Sequence, residues 1–383
     1  MQGKQEEISK ASGVNVLCLV SYNFLPAKMG GQKGIASFYT FFAQYVNIVC
    51  VTTKSNQPQG ANYPVLNILS NSVLRYINVF YFFTLRRLIK QHQITHLQIE
   101  HPYYGWLAIL VQRFCRVKLI LHSHNIEGER FKSTGKWWAG ILLGYEKMVH
   151  RCADYLFFVT EEDRQYSIKR FKNDAAKCLT TPYGIEWTQA PSSEERAEAK
   201  GRLQAQYKFA ANETILFLNG SFNYKPNLDA LLYVVDKVNP ILLTNKGFEY
   251  KIFICGKGIP ASISNNNYPN VYIAGFVDDV SIYFKGADIF LNPLSTGGGI
   301  KTKLVEALGY NLYVVSLRDG AIGIPAGVTG DKLVVMPDDN DLQAFAEAVI
   351  ALQGKTSAIP AAYFDYFYWG DITKKAAEFI ISC

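Results

Sequence analysis

The chain opens its ordered part with Val14-Asn-Val-Leu-Cys-Leu-Val20, and nine residues later comes Met29-Gly30-Gly31-Gln32-Lys33-Gly34. The first run is apolar and β-branched, the composition of a buried strand. After the glycines, Ile35, Phe38, Phe42 and Tyr45 recur at helical spacing. Strand, glycine-rich turn and helix together make the first unit of a βαβ pattern. Gly30 and Gly31 let a ligand approach the backbone, and the N–H groups opening the helix favour an anion. A tight structural turn would use the same glycines. The pattern is not G-x-G-x-x-G, and no acidic residue stands where a nicotinamide ribose would need one.

Working outward, strand-like runs recur at Val14–Val20, Ile48–Thr53, Thr95–Glu100, Val117–His122 and Tyr155–Val159, with helix-like stretches between. A second series follows at Thr214–Asn219, Tyr250–Cys255, Val271–Ala274, Asp288–Asn292, Leu312–Ser316 and Leu333–Met336. The simplest reading is α/β: two doubly wound, Rossmann-like sheets. Between them, Thr181–Ser193 carries Pro182, Gly184 and Pro191, and a charged helix-like run follows over Glu194–Tyr207. The boundary is expected near Trp187, giving domains at 1–187 and 188–368. Trp369–Ile380 reads as a closing helix with Asp371 at its N-cap and Ile372, Ala376 and Phe379 on one face.

A length of 383 residues exceeds what one core usually supports, in keeping with two domains. Hydrophobic residues make up 49% and charged residues 19%, and no apolar run approaches the roughly 18 residues needed to span a membrane. Residues 1–12 are polar and read as a loose tail without the apolar stretch of a signal peptide. The seven cysteines are scattered and form no C-x-x-C pair or metal cluster, so a reduced, cytoplasmic setting is expected. A net charge of +7 suits a nucleoside diphosphate or an anionic membrane surface. Nucleic acid is not expected.

Two further segments carry candidate chemistry. The run Asn292-Pro-Leu-Ser-Thr-Gly297-Gly298-Gly299-Ile-Lys301-Thr-Lys303-Leu-Val-Glu306-Ala-Leu-Gly309 passes from a strand into a helix. Gly297, Gly298 and Gly299 would expose amides, Lys301 and Lys303 add positive charge, and Glu306 lies one turn beyond Lys303. That is a diphosphate cradle with a ribose acceptor beyond it; a glycine loop with a Lys303–Glu306 surface pair is the plainer reading. The second segment, His122-Ser-His124-Asn-Ile-Glu127, ends a first-domain strand, where open α/β sheets place their ligands.

With these residues in hand, the sequence resembles the retaining glycosyltransferases of family 4, which have the GT-B fold, two Rossmann-like domains facing across a cleft. The likeness runs through Gly30-Gly31, His124-Asn-x-Glu127, Ala153-Asp154, Thr181-Pro-Tyr-Gly-Ile185, Leu218-Asn-Gly-Ser221, Tyr224-Lys-Pro-Asn227, Ile254-Cys-Gly256-Lys257, Gly275-Phe276-Val277-Asp278, Ala287-Asp288, Gly297–Glu306 and Trp369, whose helix would cross back to the first domain. The resemblance implies a nucleotide-sugar donor on the second domain. Gly275–Asp278 would lie near the base and Glu306 on the ribose, with Lys225, Gly298, Gly299 and Lys301 around the diphosphate. His124 would face the donor sugar. Glutamates separated by seven residues are usual in the family; here Gly298 stands at the first position and Glu306 at the second. The family's basic pair after the first donor-domain strand is replaced by Ser221 and Pro226, with Lys225 one position away.

No Asp-x-Asp motif appears, so neither a metal nor another cofactor is expected. The acceptor is expected to be a glycan or a lipid-linked molecule. Val73–Lys90 sets Tyr76, Phe80, Tyr81, Phe82 and Phe83 beside Arg75, Arg86, Arg87 and Lys90, an amphipathic run that suits an anionic membrane face or a core helix with solvated ends. Trp137 and Trp138 add a second aromatic site. Two other classes fit the same fold: a nucleotide-sugar epimerase, which needs no acceptor, and a non-catalytic nucleotide-sugar-binding subunit.

Overall fold

The computed structural model describes residues 13–265, 268–337 and 341–382; the N-terminal stretch 1–12 lies outside the described residues. The chain divides into two compact units, one of residues 1–186 with 367–383 and the other of residues 187–366. Among the described residues no helix is long and apolar enough to cross a membrane.

The first unit holds a seven-stranded parallel sheet of β1 (Asn15–Leu19), β2 (Asn47–Thr53), β3 (Val65–Leu69), β4 (His96–Glu100), β5 (Lys118–Ser123), β6 (Tyr155–Phe158) and β7 (Cys178–Thr180), in the order β3-β2-β1-β4-β5-β6-β7. The second holds a six-stranded parallel sheet of β8 (Thr214–Ser221), β9 (Tyr250–Lys257), β10 (Val271–Gly275), β11 (Ile289–Asn292), β12 (Tyr313–Leu317) and β13 (Leu333–Met336), in the order β10-β9-β8-β11-β12-β13. The central strands are buried nearly throughout because helices cover both faces, which is why they read as unbroken apolar runs. Each sheet reverses its winding once, between β1 and β4 and between β8 and β11. Those points open a crevice at the carboxyl ends of the strands.

The helices used below are α1 (Gly30–Phe42), α2 (Tyr81–Gln91), α3 (Gly105–Cys115), α4 (Glu127–Ser133), α5 (Ala139–Cys152), α6 (Thr302–Gly309) and α7 (Trp369–Ile381). On α1, Ile35, Phe38 and Phe42 are fully buried, and the Phe38 ring lies 4.8 Å from the imidazole of His122. Burying each such side chain contributes about 1.5–3 kcal/mol, so this face both anchors α1 and fixes the end of β5. The closing helix α7 returns to the same unit, its Trp369 ring 6.3 Å from Phe38.

Four sequence expectations change. Strands β3 and β7 were not foreseen, because β3 is a half-buried edge interrupted by Asn67 and β7 has three residues. The connection from β1 to α1 is a loop of ten residues, with Gly30 and Gly31 as the first two helical residues. Asp371 is not the N-cap of the closing helix. A parallel bridge between Ile185 and Tyr368 holds Tyr368 extended, so Tyr368 caps and Asp371 falls in the first turn. Finally, Val73–Lys90 is two elements, a short 3-10 turn at Val73–Ile77 and then α2.

Candidate functional site

At the carboxyl rim of the first sheet, strand β4 ends in Glu100, which is fully buried. Its carboxylate gathers donors from three elements. Oε1 accepts from the Tyr39 hydroxyl at 2.5 Å and from Gln98 Nε2 at 2.9 Å, while Oε2 accepts from His124 Nε2 at 2.5 Å and lies 3.1 Å from His122 Nδ1. Burial works against ionisation of Glu100, yet the facing His122 and His124 hold its carboxyl well below the ordinary range. Burial pushes His122 downward despite Glu100, leaving it a neutral N–H donor. Since a carboxylate only accepts, His124 donates to it through an N–H at Nε2, which fixes the orientation of its ring.

A second carboxylate braces the same corner. Glu127, at the start of α4, accepts from Tyr103 at 3.0 Å and from Arg130 Nε at 2.8 Å, and lies 3.3 Å from His101. Burial opposes its charge, but His101 and Arg130 hold it at about 2. The His101 ring stacks on His124 at 4.4 Å. Beneath, buried Glu146 on α5 accepts the backbone N–H groups of Glu127 and Gly128, both at 2.9 Å, and so caps α4. Glu100, His122 and His124 bring three possible metal-ligand atoms within 4.8 Å of one another, and these atoms are already joined through one carboxylate.

The rim of the second sheet is built from backbone. Gly297 and Gly299, after β11, take φ of +101° and +66°, where an L side chain is strained. The Lys301 ammonium donates to the carbonyls of Gly297, Gly298 and Gly299 at 2.7, 3.3 and 2.8 Å, curling the loop around itself. Burial lowers the Lys301 pKa to about 8, against a small upward pull from Asp319. Lys303, in the first turn of α6, donates to the carbonyl of Asn219 at 2.9 Å and so ties this loop to the end of β8. A Cβ on Gly297 would sit 3.3 Å from the Tyr224 hydroxyl, which places the two loops side by side.

The remaining second-unit residues fall on the same rim. Gly256, the penultimate residue of β9, has φ +149°, and a Cβ there would lie 1.8 Å from the Gly220 carbonyl, so close strand packing by itself demands this glycine. Beside it, Lys257 stands over the exposed Phe276 ring at 4.0 Å, with Val277 half-buried next to Phe276. Glu306 is half-buried on α6, one turn past Lys303. Lys225 is engaged by Asp229 one helical turn away, at 2.9 Å, with both side chains well exposed. On the first sheet, Gly31 has open space where a Cβ would stand.

The structure therefore joins Lys225, Gly256, Phe276, Val277, Gly297, Gly298, Gly299, Lys301, Lys303 and Glu306 along one rim, and Gly30, Gly31 and His124 along the other. The sequence reading missed Glu100, Tyr39 and His101. Glu100 carried a signal: it is the sole carboxylate side chain between Glu7 and Glu127 and it ends an apolar strand.

Two family models match the chain: Glycosyltransferase Family 4 over residues 43–187 and Glycosyl transferases group 1 over residues 213–354. An uncharacterized 44.6 kDa protein from the cps region of Klebsiella pneumoniae is 27% identical over 41% of this chain and 41% of its own length. An uncharacterized glycosyltransferase of Methanosarcina acetivorans is 24% identical over 61% of this chain and 56% of its own. The chain thus spans about half the length of these relatives. Among solved structures, a glycosyltransferase from Rickettsia africae superposes with a TM-score of 0.70 at 13% identity, covering 96% of this chain and 98% of that one. Anabaena HepE in complex with UDP gives 0.69 at 13%, covering 96% and 100%.

Proposed function

For a chain built of two glycosyltransferase domains on the GT-B fold, we propose that the whole protein moves a sugar from a nucleoside-diphosphate sugar to a glycan or lipid-linked acceptor, with retention at the anomeric carbon and without a metal. The observation that carries the donor assignment is the second rim, where a glycine loop, two lysines and the start of α6 converge at the reversal between β8 and β11. HepE binds UDP and, in a further complex, UDP-glucose, which supports a nucleotide-sugar donor here.

Cleaving the bond between the anomeric carbon and the phosphate builds negative charge on the departing diphosphate. Lys301 and the loop amides oppose that charge, and they do so more strongly in the transition state than before it. Lys301 exchanges its three carbonyl partners for phosphate oxygens, stronger acceptors for an ammonium. The acceptor attacks from the face the diphosphate leaves, and a phosphate oxygen takes the acceptor proton. His124 binds the donor sugar through Nδ1, its ring held by Glu100. Phe276 and Val277 lie under the base, and Glu306 accepts from the ribose hydroxyls.

Calorimetry with UDP and other nucleoside diphosphates tests the donor site. Losing a hydrogen bond to a charged group costs about 1.5–3 kcal/mol, so Glu306→Ala should weaken binding roughly ten- to a hundredfold in a folded protein. Wild-type affinity in that variant would remove the ribose assignment. Turnover should survive a chelator; loss of turnover restored by zinc or magnesium would sink the metal-free reaction and turn attention to Glu100, His122 and His124.

A further inference from the structure

The hub at the end of β4 holds more ligating atoms than a brace for one ring requires. Oε1 of Glu100 is taken by Tyr39 and Gln98, whereas Oε2 faces two imidazoles, His124 Nε2 at 2.5 Å and His122 Nδ1 at 3.1 Å. One oxygen and two nitrogens therefore lie within 4.8 Å of one another. A tetrahedral cation with bonds of about 2.0–2.2 Å sets its ligand atoms roughly 3.4 Å apart. The three atoms reach that spacing if His124 draws back by about 1 Å. His124 lies in the loop between β5 and α4 and is the most exposed of the three, its side chain 15% accessible against 4% for His122 and none for Glu100. The cluster thus opens to solvent at His124, where a fourth ligand such as water would enter.

The surroundings support the same reading. Groups that ligate a metal are oriented by hydrogen bonds from the residues behind them. Tyr39 and Gln98 hold the carboxylate through its far oxygen. The His122 ring lies 4.8 Å from Phe38, and its Nε2 is 3.4 Å from Thr181 Oγ1, an acceptor for the ring proton once Nδ1 takes a metal. At His124 the metal takes the place of the Nε2 proton. Two imidazoles with one carboxylate select zinc over magnesium or calcium, which prefer all-oxygen sites.

We propose that Glu100, His122 and His124 form a zinc site whose occupation silences the enzyme. Zinc brings two positive charges to a carboxylate that carries one negative charge. The inhibitory half rests on the reading that His124 faces the donor sugar, where positive charge grows at the anomeric carbon as the diphosphate leaves and a nearby cation opposes it. Calorimetry of the chelator-stripped full chain with zinc chloride tests the site. One zinc should bind at these residues, cobalt(II) in its place should show the visible bands of a four-coordinate ion, and magnesium should not compete. Cys152→Ser, which removes an exposed thiol, should bind zinc as wild type does. Tyr39→Phe should weaken zinc roughly ten- to a hundredfold, and His124→Gln should lose it, both at wild-type melting temperature. Turnover should fall as zinc is added and recover with chelator. No zinc bound by wild type, or equal binding by His124→Gln, would overturn the site and leave the donor assignment standing. Zinc held at these residues with turnover unchanged would overturn the inhibitory half and, with it, the place of His124 at the sugar.

Discussion

Both sheets are parallel, both reverse their winding beside the first strand, and both end their central strands at a polar rim, yet the rims are made differently. In the first, charge is buried and met by side-chain partners: Glu100 by Tyr39, Gln98, His122 and His124, and Glu127 by Tyr103, His101 and Arg130. In the second, cations rest on backbone carbonyls, Lys301 on those of Gly297, Gly298 and Gly299 and Lys303 on that of Asn219. A buried ion network holds a ring in place and is costly to open. A lysine on neutral carbonyls can exchange them for a charged oxygen at little cost. The first rim is thus suited to orientation and the second to capture and release of an anion.

The largest effect should come from breaking the first rim at its hub. Glu100→Ala removes the acceptor shared by four donors, and removing one partner of a buried pair costs about 3–5 kcal/mol. A lowered melting temperature with loss of turnover is expected, and Glu100→Gln should restore part of the stability. A variant as stable as wild type would show that the donors satisfy one another without the carboxylate.

Acid should affect the first rim next. The folded-state pKa of Glu127 lies near 2, below the ordinary value of 4.5, so its contribution is present above pH 4.5 and is lost as pH falls through 2. The span corresponds to roughly 3 kcal/mol. Urea melts between pH 5 and pH 2 should therefore lose less stability in Glu127→Gln than in wild type; parallel curves would show that Glu127 does not contribute.

The second rim should respond in binding rather than in folding. Lys301 loses its proton as pH rises through about 8, so nucleoside diphosphate affinity should decline above that pH. Lys301→Met should start roughly tenfold weaker, about the worth of one charge-assisted contact, and show a flat profile. A wild-type profile in the variant would assign the titration elsewhere.

The smallest effect belongs to Lys225. Its exposed pair with Asp229 is worth about 0.5 kcal/mol or less, so Lys225→Ala should leave the melting temperature almost unchanged. If Lys225 turns from Asp229 to the diphosphate, calorimetric affinity falls severalfold; unchanged affinity leaves it a surface pair.

Much of this was written locally. The alternation of apolar runs and helical spacing determined two doubly wound sheets, because strand burial and helix amphipathicity are properties of neighbouring residues. The run Asn292–Gly309 announced its own turn, since three glycines, two lysines and the following helix are contiguous. Only the tertiary structure decided what joins across strands. Glu100 looked like the end of an apolar strand until β5 and α1 brought His122, His124 and Tyr39 to it from more than twenty residues away on one side and sixty on the other. Gly256 read as part of the Ile254–Lys257 likeness, and packing shows that the Gly220 carbonyl leaves it no room for a side chain. Asp371 read as a cap from local propensity, but Tyr368, bridged to Ile185, is the cap of a helix that starts at Trp369, as read. Local pattern records which residues will be buried; partners distant in sequence are chosen by strand order and register, which no single segment contains.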